Sequence, residues 1–374
     1  MSASAPAGAA RLPRHPDRIE SARAALVRLE AEWLLLPPSP DLAWLSSAHA
    51  RSTERLVAFA LPRAGDPFCV VPRLESEALA AECPWLELEV WEEHQDPFEI
   101  LVRRLGLARR PRVLVGEGLR VATLLRLAAQ ARCAPASGAL APLRAIKDAG
   151  ELRLLEEAGR HADAIVEETA DFMRPGMSEI EVASFVTDRF RSAGDTEPWV
   201  IVATGPNAAL PHHHTSERRL AEHEPVLLDL GAFTGGYGSD ITRTYWLGKP
   251  PEEAVRIHAI VDEARARGIE AARAGAMCEE VDRAARGVIE RAGHGEHFIH
   301  RTGHGVGLEV HEPPYLVAGN RVRLEPSMVH SVEPGIYLPG RLGVRLEDLV
   351  VVEEGAGRRL NVAPRDLTPP RLRS

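Results

Sequence analysis

The sequence predicts two domains, an α/β unit over residues 1–145 followed by an α+β unit over residues 146–374. Three observations predict this. Short apolar runs alternate with helix-like stretches over the first third of the chain, the pattern of a small α/β domain. The stretch APASGALAPLRAIKDAG, residues 134 to 150, is rich in Ala, Pro and Gly before it turns helical, and so marks a seam. Beyond the seam, long segments of helical period are interleaved with strand-like runs. A length of 374 residues fits roughly two domains, and 45% apolar content is enough for ordinary buried cores.

In the first domain the strands are expected at EWLLL, RLVAFAL, PFCVV and PRVLVG. In the second, apolar residues at helical spacing run from Asp148 to Met173 and stop at Pro175 and Gly176. Ser178, with Glu181 three residues on, reads as a capping box that opens another helix through SFVTDRF. Two further helices fit residues 251–273 and 277–292. Between and after these helices lie strand-like runs at WVIVA, EPVLLDLG, YGSDITRTYWL, SMVHSVEPGIY and VRLEDLVVV. The expected arrangement is a mostly antiparallel sheet with helices over one face.

The formal net charge of -9 arises from acids and bases mixed along the chain, so no basic stripe points to nucleic acid and no polybasic run to a membrane surface. Small molecules or peptides are the expected partners. The opening MSASAPAGAA lacks the charged start and apolar centre of a signal peptide, and no apolar run reaches about 18 residues, so a cytoplasmic protein is expected. Cys69, Cys83, Cys133 and Cys278 are scattered without a Cys-x-x-Cys pair, which fits reduced structural thiols.

Within this frame, LLDLGAFTGGYGSDITRT sets Asp229 in an apolar run and Asp240 eleven residues later, beyond a glycine-rich turn. A hairpin there brings both carboxylates to one face, and buried carboxylates require a cation, a proton or a donor. Glu333 in VHSVEPGIY and Glu347 in GVRLEDLVVV repeat the pattern fourteen residues apart. HRTGHGVGLEVHE adds His304 and His311, with glycines at 303, 305 and 307 that let backbone pass close to a site. Two Asp, two Glu and one His form a hard, oxygen-rich set suited to Mn, Co or Zn. Four carboxylates carry more charge than one divalent ion needs, so two ions are expected, and such a pair supports hydrolysis.

These motifs resemble the pita-bread metallopeptidases, in the branch of prolidases (Xaa-Pro dipeptidases) and aminopeptidases P, over nearly the whole chain. The resemblance implies that Asp229, Asp240, His304, Glu333 and Glu347 hold two divalent metal ions, manganese first with cobalt or zinc as alternatives. Asp240 and Glu347 would bridge, and Glu333 would also accept a proton from the attacking water. It implies that His212, in ALPHHHTSER, and His311 act near the substrate. Thr242 and Arg345 stand two residues from Asp240 and Glu347, Thr242 as a hydrogen-bond partner of a ligand carboxylate and Arg345 on the substrate side. The first domain resembles the creatinase-like unit of the same proteins. That unit separates the chain from methionine aminopeptidases, and the intact ligands separate it from creatinase and from ligand-free pita-bread binding proteins.

The resemblance further implies cleavage before proline by a homodimer. Many prolidases place an arginine four residues after the second motif histidine to hold the carboxylate of a dipeptide; Tyr315 stands there in this chain. The expected activity is nevertheless Xaa-Pro dipeptidase, with Xaa-Pro aminopeptidase as the alternative. Arg51, in SSAHARSTER, is expected to enter the partner's site and replace the missing arginine.

Overall fold

The computed structural model describes residues 15–48 and 50–369. The MSASAPAGAA stretch and His49 lie outside the described residues. The chain divides between Arg144 and Ala145 into two compact units. Among the described residues, no helix is long and apolar enough to cross a membrane.

The first unit runs α1 (Pro16–Arg28), β1 (Trp33–Leu36), α2 (Pro40–Ser46), β2 (Ala58–Pro62), β3 (Phe68–Pro72), α3 (Arg73–Glu82), β4 (Glu87–Trp91), α4 (Pro97–Leu105), β5 (Arg112–Val115), α5 (Val121–Ala128), β6 (Arg132–Pro135) and α6 (Ser137–Ala145). Its strands form one mixed sheet in the order β4-β3-β2-β1-β5-β6. The inner strands β2 and β3 are buried at every position. They read as continuous apolar runs because neither face meets water. Edge strands β4 and β6 lack such a run and are partly exposed. Glu87 and Glu89 of β4 instead pair with Arg104 of α4, a polar dressing that suits an edge. Pro40 and Pro97 open α2 and α4, whose first turns are capped by Ser39 and Asp96.

The second unit opens with α7 (Ala149–Phe172) and α8 (Glu179–Ser192), each started by a capping box, Asp148 with Glu151 and Ser178 with Glu181. Strands β7 (Thr196–Thr204), β8 (Pro225–Thr234), β9 (Tyr237–Gly238) and β10 (Ile241–Trp246) follow, then α9 (Glu252–Ala271) and α10 (Cys278–Arg291). The unit closes with β11 (Gly303–Gly305), β12 (Glu312–Leu316), β13 (Val329–Val332), β14 (Gly335–Leu338), β15 (Leu342–Arg345), β16 (Asp348–Val351) and β17 (Arg358–Arg359). The single sheet expected from the sequence is instead three antiparallel ladders: β10-β8-β7 with β9 on β8, β12-β11-β13-β16-β17, and the hairpin β14-β15.

The ladders separate where the ligand carboxylates sit. β13 pairs with β16 and β14 with β15 in one common register, Val332 opposite Asp348 and Gly335 opposite Arg345. Between them the pairing breaks: the Glu333 amide donates to the Thr302 carbonyl and the Glu347 amide to the Thr242 carbonyl. Each acid is thereby tied to a segment outside its hairpin.

Strand alternation decides which side chains see the core. In β8, Val226, Leu228, Leu230 and Ala232 pack with Val202, Ile241 and Tyr245 against Ile165, Val166 and Ala170 of α7 and Val182, Val186 and Phe190 of α8. In the second half, Ile336, Leu338, Val344 and Leu346 pack against Ile257 and Val261 of α9 and Val288 and Ile289 of α10. Full burial of each such aliphatic side chain contributes about 1.5–3 kcal/mol. The intervening odd-numbered positions, Asp229, Glu333, Arg345 and Glu347, turn to the opposite side of their strands and line one cavity.

A buried arginine holds the two halves of this unit together. The Arg243 guanidinium, on β10, donates to the carbonyls of Thr242 (3.0 Å), Glu347 (2.6 Å), Ala363 (2.9 Å) and Pro364 (3.1 Å) and to Asp348 (2.8 Å). Asp348 also receives Arg265 at 2.6 Å. A buried charge is tolerated because nearly every donor finds an acceptor. Cys69, Cys83 and Cys278 are buried and Cys133 half-buried, all as free thiols. Burial pushes the thiols of Cys69, Cys83 and Cys278 up to between about 11 and about 12, which makes them inert packing groups.

Candidate metal centre

Asp229 lies on the central strand β8, directly opposite Thr242 of β10. Asp240 stands two residues before Thr242 and joins the same face. His304 is in the middle of β11, and Glu333 and Glu347 stand at the break in the long hairpin. The structure brings all five around a cavity of about 530 Å³, which Trp199, Ile201, His212, His300, Arg301, His311 and Arg345 also line. One ligand atom each from Asp240, His304 and Glu347 lies within 4.8 Å of the others.

The closeness of these groups is enforced by backbone. A Cβ on Gly303 would stand 2.0 Å from the Ser331 carbonyl oxygen, and one on Gly305 would stand 2.4 Å from that of Pro313. Glycine is therefore needed on both sides of His304 so that β11 can fit between β12 and β13. The close approach expected at these glycines is to neighbouring strands.

Three buried oxygens in the cavity have no hydrogen-bond partner among the described residues: Asp229 Oδ1, Asp240 Oδ1 and Glu347 Oε1. Orphaned carboxylate oxygens at this depth cost several kcal/mol unless a cation or proton meets them. The second oxygens of Glu347 and Asp229 are held. Thr242 Oγ1 donates to Glu347 Oε2 at 2.7 Å, and Arg345 donates to Asp229 Oδ2. Asp229 and Glu347 are thus fixed on one side and open on the other, which suits cation binding.

His304 fits the same purpose. Its Nδ1 lies 3.1 Å from the Gly305 carbonyl oxygen, an acceptor only, so the proton belongs on Nδ1. Nε2 then faces Glu333 at 3.2 Å and Asp240 at 3.6 Å. Two lone-pair-bearing groups this close require a proton or a metal between them. The donor set, four carboxylates and one imidazole, suits hard or borderline divalent cations.

The electrostatics agree. Burial, then the charges of Glu347, Asp229 and Glu333, push the Asp240 carboxyl well above its ordinary range. Burial, then the charges of Glu333 and Asp229, do the same to Glu347. Asp229 is also raised by burial, with Arg345 opposing. Glu333 differs: burial raises it, but the hydrogen bond and charge of His304, with the charges of His300 and Arg345, outweigh burial and bring it to about 2.

His212 and His311 lie exposed to the cavity, and the rings of His304 and His311 are 4.2 Å apart. Burial, then the charges of His304 and Arg301, lower His311 to about 4, so it is neutral at physiological pH. Arg345, expected on the substrate side, lines the cavity but is buried and engaged by Asp229, by Thr242 Oγ1 at 3.1 Å and by the Tyr337 hydroxyl at 2.9 Å. Its geometry is that of a positioning residue for Asp229. Arg51 is exposed in the first unit, beside Glu75 and Glu82 on a separate cavity of about 530 Å³.

Several residues near the centre escaped the sequence reading. Tyr337 links Arg345 to His300, whose Nε2 lies 2.8 Å from the hydroxyl. Glu179, at the first turn of α8, has a fully buried side chain. One of its oxygens accepts from the Thr204 amide (2.8 Å) and Asn207 Nδ2 (2.9 Å). The other accepts from His213 Nε2 (2.8 Å) and from the amide (2.9 Å) and hydroxyl (2.7 Å) of Ser216. It therefore holds both ends of the loop that carries His212. Placement in the first turn of a helix next to a capping serine disguises Glu179 as an ordinary N-terminal acid.

Residues 153–354 match metallopeptidase family M24, and residues 18–146 match the creatinase/prolidase N-terminal domain. The chain is 39% identical over 357 residues to a probable dipeptidase PepE of Mycobacterium tuberculosis, covering 94% of this chain and 95% of that one. Among solved structures, the dipeptidase PepE of Mycobacterium ulcerans superposes with a TM-score of 0.90 at 36% identity, covering 95% of this chain and 97% of the other. A recombinant prolidase of Thermococcus sibiricus superposes with a TM-score of 0.88 at 33% identity, covering 96% and 100%.

Proposed function

The chain belongs to metallopeptidase family M24, and from that premise we propose that it is a dinuclear-metal Xaa-Pro dipeptidase. The observation that carries the reading is the convergence of orphaned carboxylate oxygens on the His304 imidazole. The proline preference is supported by relatives that carry the name Xaa-Pro dipeptidase, one from Pyrococcus furiosus among them.

In this reading Asp229, Asp240, His304, Glu333 and Glu347 would hold two divalent cations, manganese first with cobalt or zinc as alternatives, and Asp240 and Glu347 would be shared. Bound there, the cations would supply polarisation of the scissile carbonyl and a water made nucleophilic at neutral pH. Glu333, ionised and beside His304, accepts the proton of the attacking water and returns it to the leaving prolyl nitrogen. His212 and His311, lining the cavity, orient the carbonyl and donate to the oxyanion that forms. Because His311 stays neutral, it can donate a hydrogen bond without adding a positive charge beside the cations. Arg345 opposes the effect of burial on Asp229 and holds that carboxylate in place.

The same proposal takes the protein to be a cytoplasmic homodimer, a state that light scattering reads directly. The functional test is turnover by manganese-loaded protein of Xaa-Pro dipeptides beside Xaa-Pro-Xaa tripeptides. Faster turnover of the dipeptides is expected. Cleavage of the tripeptides alone would make the enzyme an Xaa-Pro aminopeptidase, and no cleavage of either would remove proline from the proposal.

A further inference from the structure

Resting on the dipeptidase reading, we infer that Arg301 binds the C-terminal carboxylate of the substrate from within the same chain, with Tyr315 as the platform that presents it. A dipeptide places its carboxylate next to the scissile bond, so an enzyme selective for it needs a cation with free donors inside the reaction cavity. Two arginines line that cavity among the described residues, Arg301 and Arg345. Arg345 is spent on Asp229, Thr242 and Tyr337. The Arg301 guanidinium makes no hydrogen bond or ion pair with the described residues and instead lies over a ring: its Cζ is 4.6 Å from the centroid of Tyr315.

That contact is positioned by the fold. Arg301 stands three residues before His304, and Tyr315 of β12 is paired in register with His304 of β11. The Tyr315 backbone is itself tied by its carbonyl to Asn320 Nδ2 at 2.6 Å. The Arg301–Tyr315 pair is therefore fixed to the same ladder that carries His304. Arginine stacked on an aromatic face keeps its edge donors free, and that edge matches both oxygens of a carboxylate.

This gives the tyrosine at position 315 a part in carboxylate recognition. An arginine at that point is unnecessary if the ring there supports one from the preceding loop. The competing candidate, Arg51, stands in the first unit beside two acids, Glu75 and Glu82.

The test compares an Xaa-Pro dipeptide with its C-terminal amide, which differs only in lacking the negative charge. Wild type, Arg301→Ala, Arg301→Lys, Tyr315→Leu and Arg51→Ala are assayed with manganese, and bound metal is measured for each. The wild type is expected to prefer the free acid. Arg301→Ala should lower kcat/KM on the acid roughly 10- to 100-fold more than on the amide, the loss of a charge-assisted pair, mainly through KM. Bound metal should stay at the wild-type level. Arg301→Lys should recover part of the acid preference, and Tyr315→Leu should lose part of it. An Arg301→Ala enzyme that keeps its acid preference overturns the inference alone, as does collapse of that preference in Arg51→Ala instead. A wild type that cleaves no Xaa-Pro dipeptide overturns the dipeptidase reading and this inference with it.

Discussion

Replacing Glu179 by Gln keeps the shape of the side chain but removes its charge and one of its two acceptor atoms. The amide oxygen can be kept toward the Thr204 amide and Asn207. The new NH₂ group then faces His213 Nε2 and the amide and hydroxyl of Ser216. The imidazole can change tautomer and the hydroxyl can rotate, but the Ser216 amide cannot stop donating. One buried donor is stranded and the remaining bonds lose their charge assistance, a cost of about 2–4 kcal/mol. The loop carrying His212 would shift with it, and a displacement near 1 Å at a substrate-orienting group costs on the order of 100-fold in rate. Burial raises the Glu179 pKa, but the bonds from Asn207, Ser216, His213 and Thr204 together bring it below its ordinary value. A depressed carboxyl contributes stability that is present above the unfolded pKa of about 4.3 and lost as pH falls through the folded value. Urea melts of wild type and Glu179→Gln should therefore differ most near neutral pH and converge as pH falls below the lowered folded value. Metal analysis of the same samples should show no loss. A variant that melts within about 0.5 kcal/mol of wild type at neutral pH and retains full kcat would refute the positioning role.

Three further outcomes follow from the site. Asp240→Ala or Glu347→Ala should lose or weaken both metals together and abolish turnover; retention of one tightly bound ion, read by metal analysis, would contradict the shared-ligand assignment. His212→Ala should keep its metals while kcat falls by about 100-fold or more, as expected for removal of an oxyanion donor, and loss of metal would place His212 among the ligands. Chelation should lower Tm most at high pH. Asp240 and Glu347 are raised in the cation-free site, so the stability that their protonation contributes disappears as pH rises through those raised values. A difference in Tm between holo- and metal-free protein that does not grow with pH in calorimetry would count against that account.

The helices of the second unit were legible because capping and period act locally. Asp148 with Glu151 and Ser178 with Glu181 announce helix starts by short-range bonding alone. The acids interrupting apolar strands were legible for a complementary reason, since a carboxylate between buried valines and leucines has few inexpensive explanations. Edge strands β4 and β6 were harder to read because an exposed edge does not need a continuous apolar run. The division into three ladders was hidden too, since the break at Glu333 and Glu347 is set by hydrogen bonds to Thr302 and Thr242. Glu179 and Arg301 look like ordinary surface charges in the sequence. What distinguishes them is what each meets in the fold, five donors for Glu179 and the Tyr315 ring for Arg301, which only tertiary contact reveals.

The interrupted hairpin also bears on when in the life of the chain the centre can form. Glu347 receives its hydrogen bond from Thr242, 105 residues away in sequence, and Arg345 reaches back 116 residues to Asp229. During synthesis β8 and β10 can pair as soon as they leave the ribosome, but two acids alone make a poor cradle for a cation. His304 arrives next, and Glu333 and Glu347 come with nearly the last strands to be made. A nascent or prematurely ended chain would thus lack the means to cut peptides, and metal capture would report that the second unit has been completed.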